Sequence, residues 1–247
     1  MKLILLVLLG IILGCITYQA IMFVRVSRLL YQNPTSTSLI LARVQEAQAR
    51  GQQSVHQQSW VPLDRISTYL QRAVIAGEDT NFATHHGFDY EAIQKAWERA
   101  QQEAQKEAKK EGEDEPSWFP DTSAFKRGAS SISQQLAKNL YLSSQRSFLR
   151  KGQEAVLTIF LEHELSKRRI LELYLNVIEW GDGIYGAEAA SQHYFHKPAA
   201  ALTINEAAFL SAMIPNPRTV FNPLMNPRRV ARRQRIILRG MPYVKLP

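Results

Sequence analysis

Two stretches of the chain carry acidic, basic and hydrogen-bonding side chains at spacings that could support catalysis. The first, residues 73–89 (AVIAGEDTNFATHHGFD), contains the adjacent acids Glu78 and Asp79, followed by Phe82 and His85. An apolar helical turn precedes Glu78, so its carboxylate is expected to project from a partly buried helix end into a cleft. Burial there would raise its pKa toward the range of a general base. Asp79, Phe82 and His85 are expected to support it; a surface glutamate is the alternative.

The second stretch, residues 128–139 (GASSISQQLAKN), predicts a capped helix with a polar face. Ser131 and Gln134 fit a capping box, which places Ser131 at a helix start, where free N–H groups favour anions. Ser131, Gln135 and Lys138 share one face at i, i+4 and i+7. A diphosphate could meet a hydroxyl, an amide and an ammonium there. An ordinary capped helix with a solvated lysine explains the same spacing.

A third set, Arg150, Lys151 and Glu154, places a cation and an acid four residues apart on one helical face. By itself this spacing is typical of a plain helix salt bridge. Together with the first two stretches it allows a proton-accepting carboxylate near groups that hold an oxyanion or phosphate. Glycosyl transfer from a phosphate-activated sugar requires that combination.

The elements that must position these residues are predicted to be helices. Apolar periodicity indicates helices over 130–142 and 148–176, with a break at Ser166, and over 202–213. Strand signals are almost missing, and three glycines between 181 and 186 predict a flexible turn. The class is therefore mainly α, with a polar, solvent-exposed insertion over 98–127.

The amino terminus predicts a membrane anchor. Residues 3–24 form an apolar run without a charge, long enough to cross the roughly 30 Å hydrocarbon core as a helix. A cleavable signal peptide would have a shorter apolar region. We expect an anchor over 1–24, a polar stalk over 25–59 and a catalytic domain over 60–247. The single cysteine, Cys15, lies in the run, so the domain is compatible with an oxidising compartment.

Charge suggests an anionic partner. The chain carries a formal net charge of +8, and no acid follows Glu206. Six arginines crowd a segment opened by Asn226 and Pro227, a plausible cap and first helical residue: Arg228, Arg229, Arg232, Arg233, Arg235 and Arg239. Membrane contact by this basic helix is favoured, with pairing to core acids such as Glu172 or Glu179 as the alternative. Nucleic acid is disfavoured, because no motif for its recognition accompanies the charge.

Four ordered segments resemble the motifs of the peptidoglycan glycosyltransferases, family 51 of the sugar-transfer enzymes. These are residues 73–89, 128–139, 150–176 (RKGQEAVLTIFLEHELSKRRILELYLN) and 180–210 (WGDGIYGAEAASQHYFHKPAAALTINEAAFL). The similarity covers roughly residues 60 to 225. It implies a lysozyme-like α fold that extends glycan strands from lipid II and releases undecaprenyl diphosphate.

The resemblance also implies roles for individual residues. Glu78 matches the general base that deprotonates the acceptor 4-hydroxyl, and Glu154 matches a glutamate that assists charge stabilisation at the diphosphate. The residues that match the motif supporting the base are Asp79, Phe82 and His85. Those that match donor-side binding residues are Ser131, Gln135, Lys138, Arg150 and Lys151. Serine stands at 131 and 133 where the family more often has threonine, which keeps the hydroxyl. The insertion after Trp97 is longer than usual for the family.

The resemblance further implies partners, cofactors and a compartment. The partners are lipid II, the nascent glycan strand, the membrane and, in some systems, cell-division or wall-synthesis proteins. No cofactor is obligatory, although a divalent cation, Mg²⁺ or Mn²⁺, could bind at the diphosphate. Lipid II is polymerised on the outer face of the inner membrane, so the domain is expected in the periplasm. The positive-inside rule, from Lys2 against Arg25 and Arg28, favours the opposite side.

Two other functions fit part of the pattern. A lytic transglycosylase or muramidase would share an α fold and a catalytic glutamate but would cleave strands. It would have no need of Lys138, Arg150 and Lys151 beside the acid, because its donor carries no diphosphate. A catalytically idle membrane-anchored scaffold is the second alternative, and the presence of both Glu78 and Glu154 argues against it.

Overall fold

The computed structural model describes residues 2–53, 56–111, 130–143 and 147–247. Within them the chain is mainly helical, as predicted. The α-helices are α1 Lys2–Ser27, α2 Ser38–Ala49, α3 Thr68–Glu78, α4 Tyr90–Glu111, α5 Ile132–Tyr141, α6 Phe148–Glu164, α7 Lys167–Val177, α8 Ala187–Phe195, α9 Ile204–Met213 and α10 Pro227–Gly240. Short 3₁₀ turns lie at Arg28–Leu30, Leu63–Arg65, Ala199–Ala201 and Met241–Tyr243.

One small sheet accompanies the helices. Its strands are β1 Gln57–Gln58, β2 Glu179–Gly181 and β3 Ile184–Tyr185, in the order β1-β3-β2. β2 and β3 pair antiparallel, and β1 pairs parallel to β3. The glycine-rich region predicted as a flexible turn is thus a β-hairpin with buried strands and an exposed turn residue, Asp182. Strands of two or three residues are too short to show an alternating apolar pattern.

Local hydrogen bonds set the helix starts that carry the site. The predicted capping box is present: the Gln134 amide N–H donates to Ser131 Oγ (3.1 Å), and the Ser131 amide N–H donates to Gln134 Oε1 (3.0 Å). Ser166 caps α7 by accepting from the Arg169 amide, which confirms the predicted break between α6 and α7. The first residues of α5 and α7 are therefore each set by hydrogen bonds between residues three positions apart.

In the core, α3, α9 and α10 pack against one another, and α5 packs against α6 and α7. Close approach of α3 to α9 depends on Gly77, because a Cβ there would lie 2.8 Å from Ser211 Oγ. That hydroxyl donates to the Ala73 carbonyl oxygen (2.8 Å). The packing therefore holds the carboxyl end of α3, and with it Glu78, in a defined position.

The predicted anchor is a helix joined to the domain. The one segment of the described chain that is long and apolar enough to cross a membrane, Ile4–Leu30, comprises most of α1 and the 3₁₀ turn that follows it. Its far end enters the core: Met22 and Val26 are buried, and the Phe23 ring packs edge-on against Phe160 at 5.2 Å between centroids. Gln19 Nε2 donates to Gln153 Oε1 of α6 (2.7 Å).

The predicted stalk, residues 25–59, is partly packed on the domain. It contains α2, which lies against α5. Ile40 is buried, and Arg43 Nη2 lies 2.9 Å from Glu179 Oε2. This segment therefore adds to the domain surface over α2, although the boundaries of anchor, stalk and domain stay predictions. The polar insertion 98–127 begins as a continuation of α4, and its residues 112–127 lie outside the described chain.

Candidate active site

Glu78 lies where three helices meet. It is the last residue of α3, and its side chain is 8% exposed. Gln135 Nε2 of α5 donates to Glu78 Oε2 (3.0 Å), and Arg233 Nη2 of α10 donates to Glu78 Oε1 (2.7 Å). Both carboxylate oxygens are therefore engaged and the side chain is held in one orientation.

Burial raises the pKa of Glu78, as the sequence predicted. Three neighbours oppose this shift: the charge and hydrogen bond of Arg233, the Gln135 amide and the charge of Lys138. The net effect is a carboxylate with a raised pKa that has cations as neighbours. A carboxylate with a raised pKa suits proton transfer near neutral pH.

Asp79 ties the end of α3 to the start of α5. Its Oδ2 accepts from the Ile132 amide N–H (2.9 Å), and its two oxygens lie 2.9 and 3.0 Å from His85 Nε2. Phe82 is fully buried, and its ring packs edge-on against the His85 ring, with 6.3 Å between centroids. These contacts fit the predicted role of Asp79, Phe82 and His85 in supporting Glu78.

The polar face of α5 divides into two parts. Gln135 links Glu78 to Tyr174, whose hydroxyl donates to Gln135 Oε1 (2.8 Å). Ser131 is buried, and its hydroxyl donates to the Gly87 carbonyl oxygen (2.6 Å) while it accepts from the Gln134 amide. Ser131 thus acts as a helix cap in this structure. A contact between Ser131 and substrate stays a prediction that requires the Gly87 bond to break.

Lys138 offers an ammonium that forms no hydrogen bond or ion pair within the described part of the chain. Lys138 is exposed to solvent. Many protein atoms nevertheless surround its side chain, and the resulting desolvation is the largest cause of its lowered pKa. The charges of Arg150 and Lys151 act in the same direction, while those of Glu154 and Glu78 raise the pKa. Lys138 is therefore a cation whose charge is only partly compensated.

Glu154 organises the neighbouring cations. It is buried on α6, accepts from Arg150 Nη1 (2.8 Å) and is ion-paired with Lys151. The predicted helix salt bridge is confirmed. With Lys138, these residues form what we call the cationic cluster, defined by Lys138, Arg150, Lys151 and Glu154. Three cations against one acid leave it with excess positive charge, which suits a diphosphate.

A divalent cation does not fit Glu154 as it stands. Both of its oxygens already contact Arg150 and Lys151, and Mg²⁺ or Mn²⁺ would need oxygen ligands free of cations. Within the described residues no three acids, histidines or cysteines form a group that could hold a metal ion. The reaction derived below therefore takes no step through a metal.

Arg233 is a residue of the site that the sequence did not single out. Besides Glu78, its Nη2 donates to the Gly77 carbonyl oxygen (2.8 Å), and its guanidinium carbon lies 5.5 Å from the centroid of the Phe221 ring. In the sequence it is one of six arginines with equivalent surroundings. The apolar spacing of Val230 and Ile237, which are buried, was the available signal for the face that α10 turns to the core.

Replacing Arg233 with Met should shift the rising limb of the pH–rate profile to higher pH. Arg233 lowers the pKa of Glu78 against the effect of burial, so its loss raises that pKa further. The base is active when deprotonated, and a higher pKa therefore removes activity near neutral pH and restores part of it in alkali. Arg233→Lys should shift the limb less, and Arg232→Met, on the exposed side of α10, should not shift it. An unmoved limb in Arg233→Met would contradict this role.

The other five arginines of α10 remain exposed and form no ion pair with described residues. The expected alternative partners are occupied elsewhere: Glu172 pairs with Arg169, and Glu179 pairs with Arg43. Pairing of the arginines with Glu172 or Glu179 is therefore wrong, while the membrane contact stays a prediction.

Neutralising the exposed face of α10 should weaken binding to anionic vesicles. The variant changes four arginines to Gln: Arg228, Arg232, Arg235 and Arg239. Each arginine near an anionic surface contributes about 1 kcal/mol, and this contribution is screened by salt. Co-sedimentation across a salt series, on a chain lacking residues 2–18, should show weaker and less salt-sensitive binding. A lower melting temperature with unchanged vesicle binding would show instead that these arginines stabilise the fold.

The chain is similar to proteins of known class along most of its length. The profile of the family described as Transglycosylase matches residues 44–112 and 118–242. A "Biosynthetic peptidoglycan transglycosylase" from Thiobacillus denitrificans is 47% identical over 230 residues, which cover 93% of this chain and 90% of that protein. Proteins of the same name from Bordetella avium and Herminiimonas arsenicoxydans are 43% and 40% identical, covering 93% and 96% of this chain and 89% and 94% of their own lengths. The chain therefore belongs to the transglycosylase family, whose domain has the lysozyme-like glycosyltransferase fold.

Proposed function

We propose that this protein polymerises lipid II into β-1,4-linked glycan strands and releases undecaprenyl diphosphate. The observation that carries the proposal is the placement of the buried Glu78, with its raised pKa, near the cationic cluster, whose Lys138 charge acts on it. The family and the names of the relatives support a role in peptidoglycan synthesis.

The reaction follows from the two halves of the site. Glu78 takes the proton of the acceptor 4-hydroxyl, and the resulting oxygen attacks the anomeric carbon of the donor sugar. The bond from that carbon to the phosphate oxygen breaks, and the electron pair leaves with the diphosphate. Attack opposite the leaving group inverts the anomeric centre. Lys138, Arg150 and Lys151 stabilise the negative charge that develops on the leaving group.

The anchor supports a substrate that resides in the same membrane. With α1 spanning the bilayer and packed on α6, the site is held close to the membrane surface. We place the domain in the periplasm, where lipid II is polymerised. The few charges that flank α1 favour the other side, but they are too few to decide orientation. The other partners that we propose for the protein are the nascent glycan strand and other wall-synthesis or cell-division proteins.

A lytic reaction is less well supported. Cleavage of a glycan strand needs a protonated acid beside the glycosidic oxygen and no diphosphate. In a lytic enzyme, the three cations grouped around Glu154 would have no anionic substrate to bind. Lys138 in particular has no hydrogen-bond or ion-pair partner in the described chain, so its ammonium is available for an anion. The cluster therefore favours synthesis over cleavage.

The test is polymerisation by the purified full chain in detergent. With lipid II as the only substrate, we expect a muramidase-sensitive glycan and one released carrier diphosphate for each bond formed. Cleavage of preformed strands without polymer would identify a lytic enzyme. Neither product from a folded protein would identify a scaffold.

A further inference from the structure

A cavity of about 600 Å³ lies between α1 and the adjoining ends of α5 and α6, beside the contact of α1 with α6. On the α1 side it is lined by Ile11, Gly14, Cys15 and Tyr18, whose spacing places them on one helical face. The opposite side combines Leu142, which follows α5, and Leu149 of α6 with polar side chains such as Arg150 and Gln153. We call this space the anchor groove.

The anchor groove lies at membrane depth. Its α1 residues fall in the middle of the apolar span Ile4–Leu30, so the domain residues facing them reach the level of the bilayer. Phe148 and Leu149, at the start of α6, are 90% and 88% exposed. Large apolar side chains exposed together beside an anchor are typical of a surface in contact with lipid. The groove is therefore suited to a hydrocarbon chain.

One end of the anchor groove adjoins the cationic cluster. Arg150 lines the groove and also donates to Glu154. On α5, Lys138 precedes Leu142 by four residues, which is about 6 Å along a helix axis. A diphosphate held by Lys138 and Arg150 would therefore carry its attached lipid at the mouth of the groove.

We propose that the anchor groove seats the first isoprene units of the lipid chain attached to the diphosphate. The inference rests on the proposed function for the identity of the diphosphate. An isoprenoid chain is favoured over a free bilayer lipid because its attachment to a bound diphosphate raises its effective concentration at the groove. The volume suits part of a long chain, and the rest would continue into the bilayer.

Cys15 allows a direct test, since it is the single cysteine of the chain and lines the groove. The full chain, carrying a benzophenone maleimide on Cys15, is placed in vesicles of phosphatidylethanolamine and phosphatidylglycerol with a labelled long-chain polyprenyl diphosphate. The control is Cys15→Ser with Gly10→Cys, five residues away on α1 and outside the groove lining. We expect capture at position 15 to exceed capture at position 10 several-fold and to be competed by unlabelled polyprenyl diphosphate. Equal capture, capture of phospholipid alone, or a link to a second copy of the chain would overturn the proposal.

A kinetic test uses two matched glycines. A Cβ at Gly10 or at Gly14 would meet nothing within 4 Å, yet only Gly14 lines the groove. We expect Gly14→Leu to raise the KM for a long-chain donor about tenfold, which is about 1.4 kcal/mol, and to leave the KM for a short-chain donor unchanged. Gly10→Leu should change neither KM. An equal change in KM for both donors would overturn the proposal that the groove binds the lipid chain. Absence of polymerisation by the wild-type protein would overturn the proposed function, and the crosslinking experiment would then test the groove by itself.

Discussion

Glu78→Gln should reduce polymerisation by about 10² to 10⁴ while leaving the fold intact. The substitution keeps the shape of the side chain and removes its capacity to accept a proton. Because burial already raises the pKa of Glu78, a neutral group at this position is not expected to cost the fold much. Arg233 can still donate to the retained carbonyl oxygen, whereas the hydrogen bond from Gln135 Nε2 is lost, so the melting temperature should fall only slightly.

Two measurements separate this role from a structural one. Binding of lipid II by Glu78→Gln should persist, since the cationic cluster is untouched. Glu78→Asp keeps the carboxylate but withdraws it by one methylene, so its activity should lie between those of Gln and wild type. A Gln variant that retains more than half of wild-type turnover would remove Glu78 from the reaction.

Lys138→Ala should impair use of the donor by about 10² to 10³ in rate, as expected when a group that stabilises a developing charge is lost. Its ammonium is free of hydrogen-bond and ion-pair partners in the described chain and has Arg150 and Lys151 as neighbouring charges. These two cations remain in the variant but are paired with Glu154. They should therefore compensate only in part.

The donor-side role is resolved by separate analogues. A donor that lacks a free 4-hydroxyl and an acceptor that lacks a diphosphate allow each KM to be measured independently. We expect Lys138→Ala to raise the donor KM and lower kcat with little change in the acceptor KM, and Lys138→Arg to restore much of the loss. Equal losses for donor and acceptor would contradict a specific contact with the leaving group.

Local interactions explain what could be predicted from the sequence. The α1 span, the capping box at Ser131 and the break at Ser166 depend on residues within a few positions of one another, so composition and periodicity reveal them. The same holds for the pair Arg150–Glu154, which one helical turn brings together. The raised pKa of Glu78 also followed, because an acid at the end of an apolar helix is buried with that helix.

Only the tertiary structure decided which distant groups meet. Arg233 reaches Glu78 across 155 positions of sequence because α10 packs on α3. The spacing of Val230 and Ile237 indicates which face of α10 is buried, but it does not indicate that Arg233 on this face meets Glu78. Ser131 was predicted to face a ligand, yet its hydroxyl bonds to Gly87, 44 positions away. The sequence by itself thus determined the helices over 130–142, 148–176 and 202–213, the apolar helix of membrane-spanning length and the candidate chemical groups of the site. Packing between helices decided their partners, because contacts between remote segments depend on the geometry of the whole core and not on spacing along the chain.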